Sequence, residues 1–494
     1  MVSYTFSNMW EKTITDQNHE LKDIDIIQGG MGVGVSDWHL AGTVAAEGAM
    51  GVISGTVIGP VLARRLQNGD LDGSSRLALS AFPDQKIANR IIENYYIPGG
   101  RQPDQPYKTV PMFDDKNRQI ALDLNLAGAF VEVWLAKHLA AQKNDKPGPI
   151  GMNLLTKLQA PTLSALYGAM LAKVDCIIMG AGIPYEIPQA LNDLAAGTIT
   201  TIRFDVTDAK QPHDLTFDPA SYAISADKLI RPAFLAVVSS NTLAKRLSLR
   251  EIPPNGLVIE GPVAGGHNAP PRDKVKVEYG ERDKVDLEPI VNLGLPFWLA
   301  GGYDSPEKLK EAKTGGANGI QVGTAFLVCQ ESGLDPSIRQ KVIDLAINEG
   351  VEVATDMRAS PTSMPFKVVQ LSGTLSEDKI YENRARKCDL GFLREPHAVV
   401  KDDGTEEIQF RCPAEPEEDY VKHGGSLADT LGRVCLCNGL LATIGLGQIR
   451  HGQAEKPIIT AGDILTDVTR QLVAIYGLHF SAKQVLGYLR SNQN

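Results

Sequence analysis

Cysteine is scarce in this chain, with six residues in 494 and no Cys-x-x-Cys pair. So few thiols exclude a disulfide framework and point to reduced cysteines in the cytoplasm. Basic runs are lacking too. The net charge is −10, no Lys/Arg stripe appears, and a general nucleic-acid binder is excluded. An acidic total still allows an anionic substrate, which needs only a local patch of donors. Long apolar runs are also missing. The most apolar stretch, Gly48 to Ala63, is too short and glycine-rich to span a membrane. Met1-Val2-Ser3-Tyr4-Thr5-Phe6 leads into polar sequence, so no signal peptide is expected there. The expected partner is a small molecule, and the oligomeric state is not legible.

What is present is repetition. Hydrophobic residues make up 43% and charged residues 22%, the composition of a large globular core. Eight short apolar runs recur: Ile24–Ile27, Met50–Ser54, Ile150–Asn153, Val174–Met179, Phe234–Val238, Leu257–Glu260, Phe297–Ala300 and Asn318–Val322. Several lack alternation, as strands buried on both faces do. Amphipathic stretches follow many of them, among them Trp38–Glu47, Thr162–Lys173, Thr242–Leu249 and Pro306–Lys313. Strand-then-helix repetition predicts an α/β fold, and eight units favour a closed TIM-type (β/α)8 barrel over an open sheet. The barrel is expected over residues 20–350, interrupted at about 61–147 and 198–232. The first insertion contains a helical Leu122–Gln142, and the second a β-ribbon near 200–205. Residues 351–494 form a C-terminal extension, mostly helical, with Thr460 as a cap for helices within Gly462–Leu489.

Two glycine turns carry the first chemical signal. Ala300-Gly301-Gly302 closes the seventh run and Gln321-Val322-Gly323-Thr324 the eighth. Backbone N–H groups at such turns can hold a phosphate, and barrel phosphate sites lie after strands seven and eight. The loop Gln28-Gly29-Gly30-Met31-Gly32-Val33-Gly34 follows the first run. It suits either a flat ring or a tight turn. It is not a dinucleotide fingerprint, since no acidic residue closes a following second strand. The sixth run leads into Val263-Ala264-Gly265-Gly266-His267-Asn268-Ala269. A histidine at the top of a barrel strand is placed for proton transfer.

Four elements stand in the order found in the nitronate monooxygenase (2-nitropropane dioxygenase) family, which is related to the flavin-dependent enoyl-acyl-carrier-protein reductases. They are Gln28-Gly29-Gly30-Met31-Gly32, Gly151-Met152-Asn153-Leu154, Ala264-Gly265-Gly266-His267, and the paired turns at Ala300-Gly301-Gly302 and Gln321-Val322-Gly323-Thr324. Over roughly residues 20–370 the chain resembles that family. The resemblance implies an FMN-dependent oxidoreductase with the FMN phosphate on Gly301, Gly302, Gly323 and Thr324. The ring system would lie near Gly30, Met31, Gly32 and Asn153, with Gly265, Gly266 and Gln321 completing the cofactor site. His267 resembles the family's catalytic histidine. The implied reaction is oxidation of a small carbanion-like substrate, such as an alkyl nitronate, with O2 as acceptor. The alternative is an NAD(P)H-dependent enoyl-thioester reductase, with acyl carrier protein as partner. A rival of another class is a flavin-free, phosphate-binding barrel. The chain departs from the family at Val263 and Ala269, where an acidic residue and a glycine are usual. Lys367, in Ser363-Met364-Pro365-Phe366-Lys367, stands where the family often has an arginine at the flavin edge.

Cys388, Cys412, Cys435 and Cys437 fall within fifty residues of one another. Four thiolates could hold zinc or an iron–sulfur centre. Their spacings match no common metal motif, and buried structural thiols are the other reading.

Overall fold

The protein is described by a computed structural model over residues 21–114, 117–224, 229–273 and 278–491. Met1–Phe6 and the rest of the first twenty residues lie outside them. The eight apolar runs form eight strands: β1 (Ile26–Gln28), β2 (Met50–Ser54), β3 (Ile150–Leu155), β4 (Cys176–Gly180), β7 (Ala233–Val238), β8 (Gly256–Glu260), β9 (Phe297–Ala300) and β10 (Gly319–Val322). β5 (Thr200–Phe204) and β6 (His213–Phe217) lie outside the barrel, as an antiparallel ribbon in the second insertion. The barrel closes in the order β1-β10-β9-β8-β7-β4-β3-β2. Every pair in it is parallel. All strand C-terminal ends therefore share one rim.

The missing alternation has its cause in two cores. Ile27, Met50, Val52, Ile178, Leu235, Val258, Trp298 and Ala300 fill the barrel interior. Their neighbours Ile26, Ile53, Ile177, Phe234, Leu257, Phe297 and Leu299 pack outward under the helices. Both faces are dry, so both positions are apolar. Trp298 is fully buried within the barrel, and its indole N–H donates to the Ile24 carbonyl at 2.8 Å. That bond satisfies a donor that would otherwise be stranded in the core.

The helices start where local chemistry says they should. The Asp37 carboxylate accepts from the His39 and Leu40 N–H groups ahead of the helix Trp38–Ala46. Ser305 caps Pro306–Thr314, with proline in the first turn. The first insertion ends in the 26-residue helix Arg118–Lys143. It is the one helix among the described residues long and apolar enough to cross a membrane. Its apolar window is 78% buried, against the helices Trp38–Ala46, Ile58–Gln67 and Gln159–Leu171.

After residue 350 the chain forms β11 (Val353–Asp356) with β12 (Phe366–Val369), β13 (Glu395–Val400) with β14 (Glu406–Arg411), and helices that include Leu436–Thr443, Leu465–Tyr476 and Ala482–Leu489. Leu441, Ile459, Leu465, Leu472 and Leu486 join the same core as the outer barrel face. Trp298→Ala should destabilise the protein by about 3–5 kcal/mol in urea unfolding, through lost burial and an empty barrel centre. A loss below about 1 kcal/mol would mean the barrel interior does not depend on this plug.

Candidate active site

The rim carries two adjoining cavities. One, of about 730 Å³, is lined by Gly30, Met31, Gly32, Gly265, Gly266, Gly301, Gly302, Gln321, Gly323 and Thr324. The other, of about 980 Å³, is lined by Gly30, Gly32, Asn153, Gly265, Gly266, His267 and Gln321. The structure thus brings every candidate cofactor residue and His267 to two adjoining cavities that share Gly30, Gly32, Gly265, Gly266 and Gln321 as walls. Met31 faces only the first cavity, and Asn153 and His267 only the second.

Backbone geometry forms the first cavity. Gly301 and Gly302 have φ of +84° and +81°, which a side chain would strain. A Cβ on Gly301 would lie 2.8 Å from the Gly261 carbonyl oxygen. Gly30 has ordinary φ but passes so near Asn153 that a Cβ would lie 2.6 Å from the asparagine Cβ. Gln28 holds the first loop from below, donating to Ser36 Oγ at 2.9 Å and accepting from the Val52 N–H. Among the described residues, no lysine or arginine lines this cavity, so an anion in it would rest on main-chain N–H groups. Thr324 is buried, and its hydroxyl oxygen already accepts from the Gly462 N–H at 2.9 Å. Its hydroxyl proton and one lone pair remain to be shared with a ligand.

His267 is held by residues outside the barrel. Its Nε2 is 2.7 Å from Ser360 Oγ, and its ring meets the edge of Phe366 at 4.9 Å. The flanking main chain pairs with β12: Asn268 N–H donates to Pro365, and Lys367 N–H to Gly266. Burial pushes the imidazole down to about 4, because the enclosed ring cannot solvate a charge. Most of its surface is covered, and it lines the second cavity. At neutral pH His267 is therefore uncharged. Among the described residues, Nδ1 has no protein partner.

Glu260 is the site residue that sequence reasoning passed over. It ends β8, lines both cavities, and burial lifts its carboxyl to about 7. The available signal was its place, an acid at the rim end of a barrel strand just before glycine.

The segment Ile459–Asp463 straps the site together. The Ile459 carbonyl accepts from Val369 N–H, and the Asp463 N–H donates to Val263. Thr460 Oγ1 accepts from Gly266 N–H at 2.8 Å. That corrects its expected role as a helix cap. The following helix begins only at Leu465, with Ile464 at its cap position. Lys367 does not reach the cavities. It is buried, and its ammonium pairs with both Asp463 oxygens at 2.7 Å. Of the four candidate cysteines, Cys437 lines the second cavity. Among the described residues, no group of three His, Cys, Asp or Glu side chains is placed to hold a single metal ion.

Residues 147–362 match the nitronate monooxygenase family model. A probable nitronate monooxygenase of Bacillus subtilis is 32% identical over 111 residues, 22% of this chain and 30% of that protein. A hydroxy-methyl-oxo-octahydroindene-carboxyl-CoA dehydrogenase of Mycobacterium tuberculosis is 24% identical over 216 residues, 39% of this chain and 58% of that one. The chain thus spans less than two thirds of either curated relative. Among solved structures, nitroalkane oxidase from Streptomyces ansochromogenes aligns over 95% of both chains at 13% identity and a TM-score of 0.48. FabK from Thermotoga maritima aligns over 95% of this chain and 92% of that one, at 16% identity and 0.45. The enoyl reductase domain of MlnA from Bacillus amyloliquefaciens aligns over 97% and 98%, at 12% identity and 0.44.

The two buried titratable groups make opposite pH predictions. His267 has a lowered folded pKa, so its contribution is fully present above about 6.5 and is lost as pH falls toward about 4. Glu260 has a raised one, so its contribution is fully present below about 4.5 and is lost as pH rises through about 7. In unfolding measured against pH, His267→Gln should therefore lose less stability than wild type from pH 6.5 to 4. Glu260→Gln should gain on wild type as pH passes 7. Profiles parallel to wild type would show both groups to be solvated. Thr460→Val should cost about 1 kcal/mol by removing the Gly266 partner, read by the same unfolding assay.

Proposed function

We propose that this chain, whose residues 147–362 match the nitronate monooxygenase family model, is a flavin-dependent oxidoreductase that oxidises a small anionic, carbanion-like substrate such as an alkyl nitronate. FMN is the cofactor in this reading. The observation that carries it is the uncharged His267 in a cavity that adjoins the one formed by the paired glycine turns and shares Gly265, Gly266 and Gln321 with it.

The residues present fit FMN. A side-chain-free cradle at Gly301, Gly302, Gly323 and Thr324 suits a phosphate held by main-chain N–H groups. Gly30, Met31, Gly32, Asn153 and Gln321 border the space that a flat ring would need. When bound, FMN supplies a two-electron acceptor able to pass electrons to O2.

The protein's own contributions follow from the geometry. A histidine pushed down to about 4 is a poor base for a weak carbon acid. A nitronate arrives already deprotonated, so the site needs no strong base to begin. An uncharged imidazole presents Nδ1 to the substrate while Ser360 holds Nε2 and fixes the ring. Glu260 supplies a carboxyl that still carries a proton below about 7, beside the same space. The apolar residues Leu155, Val237, Phe366 and Leu440 line the second cavity and limit water around the reacting carbon. In this reading the protein acts in the cytoplasm on a free small molecule.

Oxygen uptake with an alkyl nitronate should be supported by the full-length protein, and NADPH should bleach the flavin slowly without oxygen. Rapid anaerobic bleaching by NADPH with no nitronate turnover would transfer the protein to the enoyl-thioester reductases. His267→Gln should lower kcat by about 10²-fold or more, within the range for a positioned proton-transfer group. Gly302→Glu should yield a folded, colourless protein, because its carboxylate would face the phosphate. Unchanged flavin content in that variant would put the phosphate elsewhere.

A further inference from the structure

Behind His267 a pair of hydroxyls crosses the wall of the site. The imidazole Nε2 lies 2.7 Å from Ser360 Oγ, and Ser360 Oγ lies 2.8 Å from Thr362 Oγ1. Ser360 is fully buried. Thr362 is partly exposed and lines a third cavity, of about 1160 Å³. Leu393 lines both this cavity and the second one. Exposed Lys157 and Ser363 stand at the third cavity, so it opens to solvent. The two hydroxyls thus join the histidine ring to water on the far side of the wall.

The segment that carries both hydroxyls is held from two sides. The Asp356 carboxylate accepts from the Arg358 and Ala359 N–H groups at 2.7 and 2.9 Å. The Arg433 guanidinium donates to the Arg358 and Ser360 carbonyls and to Ser363 Oγ. Hydrogen-bond counting then leaves two arrangements. Ser360 Oγ has one proton and two lone pairs. The Thr362 N–H, which can only donate, takes one lone pair at 3.2 Å. One proton and one lone pair remain, to be divided between Nε2 and Thr362 Oγ1. In the first arrangement Thr362 donates to Ser360 and Ser360 to Nε2, so an uncharged ring carries its proton on Nδ1. In the second, Nε2 donates to Ser360 and Ser360 to Thr362, and Nδ1 is bare.

We propose that Ser360 and Thr362 relay protons between His267 and solvent in the third cavity. The two arrangements are the start and the end of one transfer. As Nδ1–H gives its proton to the substrate, Nε2 takes the Ser360 proton and Ser360 takes the Thr362 proton. Thr362 takes one from hydronium in the third cavity. One N–H bond breaks and one forms on the ring, and each hydroxyl loses and regains a proton. The reverse shifts carry a proton out. The ring stays uncharged throughout, as its burial requires. A site filled by cofactor and substrate therefore keeps a proton path that bypasses both. Ser360 and Thr362 line neither of the first two cavities, so they act through His267 as positioning residues. The inference rests on the reading of His267 as the group that exchanges a proton with substrate.

The test is nitrogen NMR of isotopically labelled histidines in the full-length protein at neutral pH, with His267 assigned by its loss in His267→Gln. In wild type both ring nitrogens of His267 should lie between the positions of the two tautomers. Thr362→Val removes the acceptor for the Ser360 hydroxyl and leaves only the first arrangement. Nε2 should then move to the position of a bare nitrogen and Nδ1 to that of a protonated one, and Thr362→Ser should restore the average. Thr362 is partly exposed, so the valine variant should fold. In turnover with an alkyl nitronate, Thr362→Val should lower kcat and leave KM unchanged, while Thr362→Ser keeps the wild-type kcat. Identical nitrogen positions in wild type and Thr362→Val would overturn the relay. So would an unchanged kcat in that variant beside a lowered one in His267→Gln. A His267→Gln protein as active as wild type would overturn the role given to His267, and the nitrogen positions alone would then decide the relay.

Discussion

The site depends on the strap Ile459–Asp463 and the bonds it makes to parts of the chain 90 to 200 residues away. Its main chain and the Thr460 hydroxyl hold the histidine loop at Val263 and Gly266, and its Gly462 N–H holds Thr324. A Cβ on Gly265 would lie 2.8 Å from the Ala461 carbonyl carbon, so strap and loop are in direct contact. Asp463 ties Lys367, and with it β12, to the same point. The turn after β10 and the loop after β8 are thereby fixed relative to each other, which the barrel strands alone do not do.

This bracing has an electrostatic consequence. Ser360, Phe366 and the strap enclose the histidine loop, and enclosure keeps His267 uncharged and Glu260 protonated toward neutrality. The same low-dielectric surroundings would strengthen any hydrogen bond to an anionic ligand. The C-terminal segment is therefore part of the site's chemistry, since it supplies both the histidine's partner and the walls around it.

Much of the fold was legible for a simple reason. A strand buried on two faces needs apolar residues at every position, so Met50–Ser54 and Phe297–Ala300 stand out in a linear reading. The ribbon at Thr200–Phe204 showed through its alternation, which its buried and exposed positions repeat. The rim glycines were legible because close main-chain approach admits no other residue at Gly301 or Gly30. Thr460 misled, since a threonine ahead of an amphipathic stretch has the local signature of a cap. Its hydroxyl is spent instead on Gly266, 194 residues away. Glu260 was missed because a carboxyl's neighbours, which no local pattern encodes, decide whether it is ionised.

By itself the sequence determined the barrel, the order of its strands along the chain and the glycine turns at its rim. These rest on periodicity and on steric exclusion at single residues, and both are written locally. Tertiary structure decided the protonation of His267 and Glu260 and the role of Lys367 as a brace. Each of these depends on what lies across space from a side chain, and no local pattern in the sequence carries a trace of such neighbours.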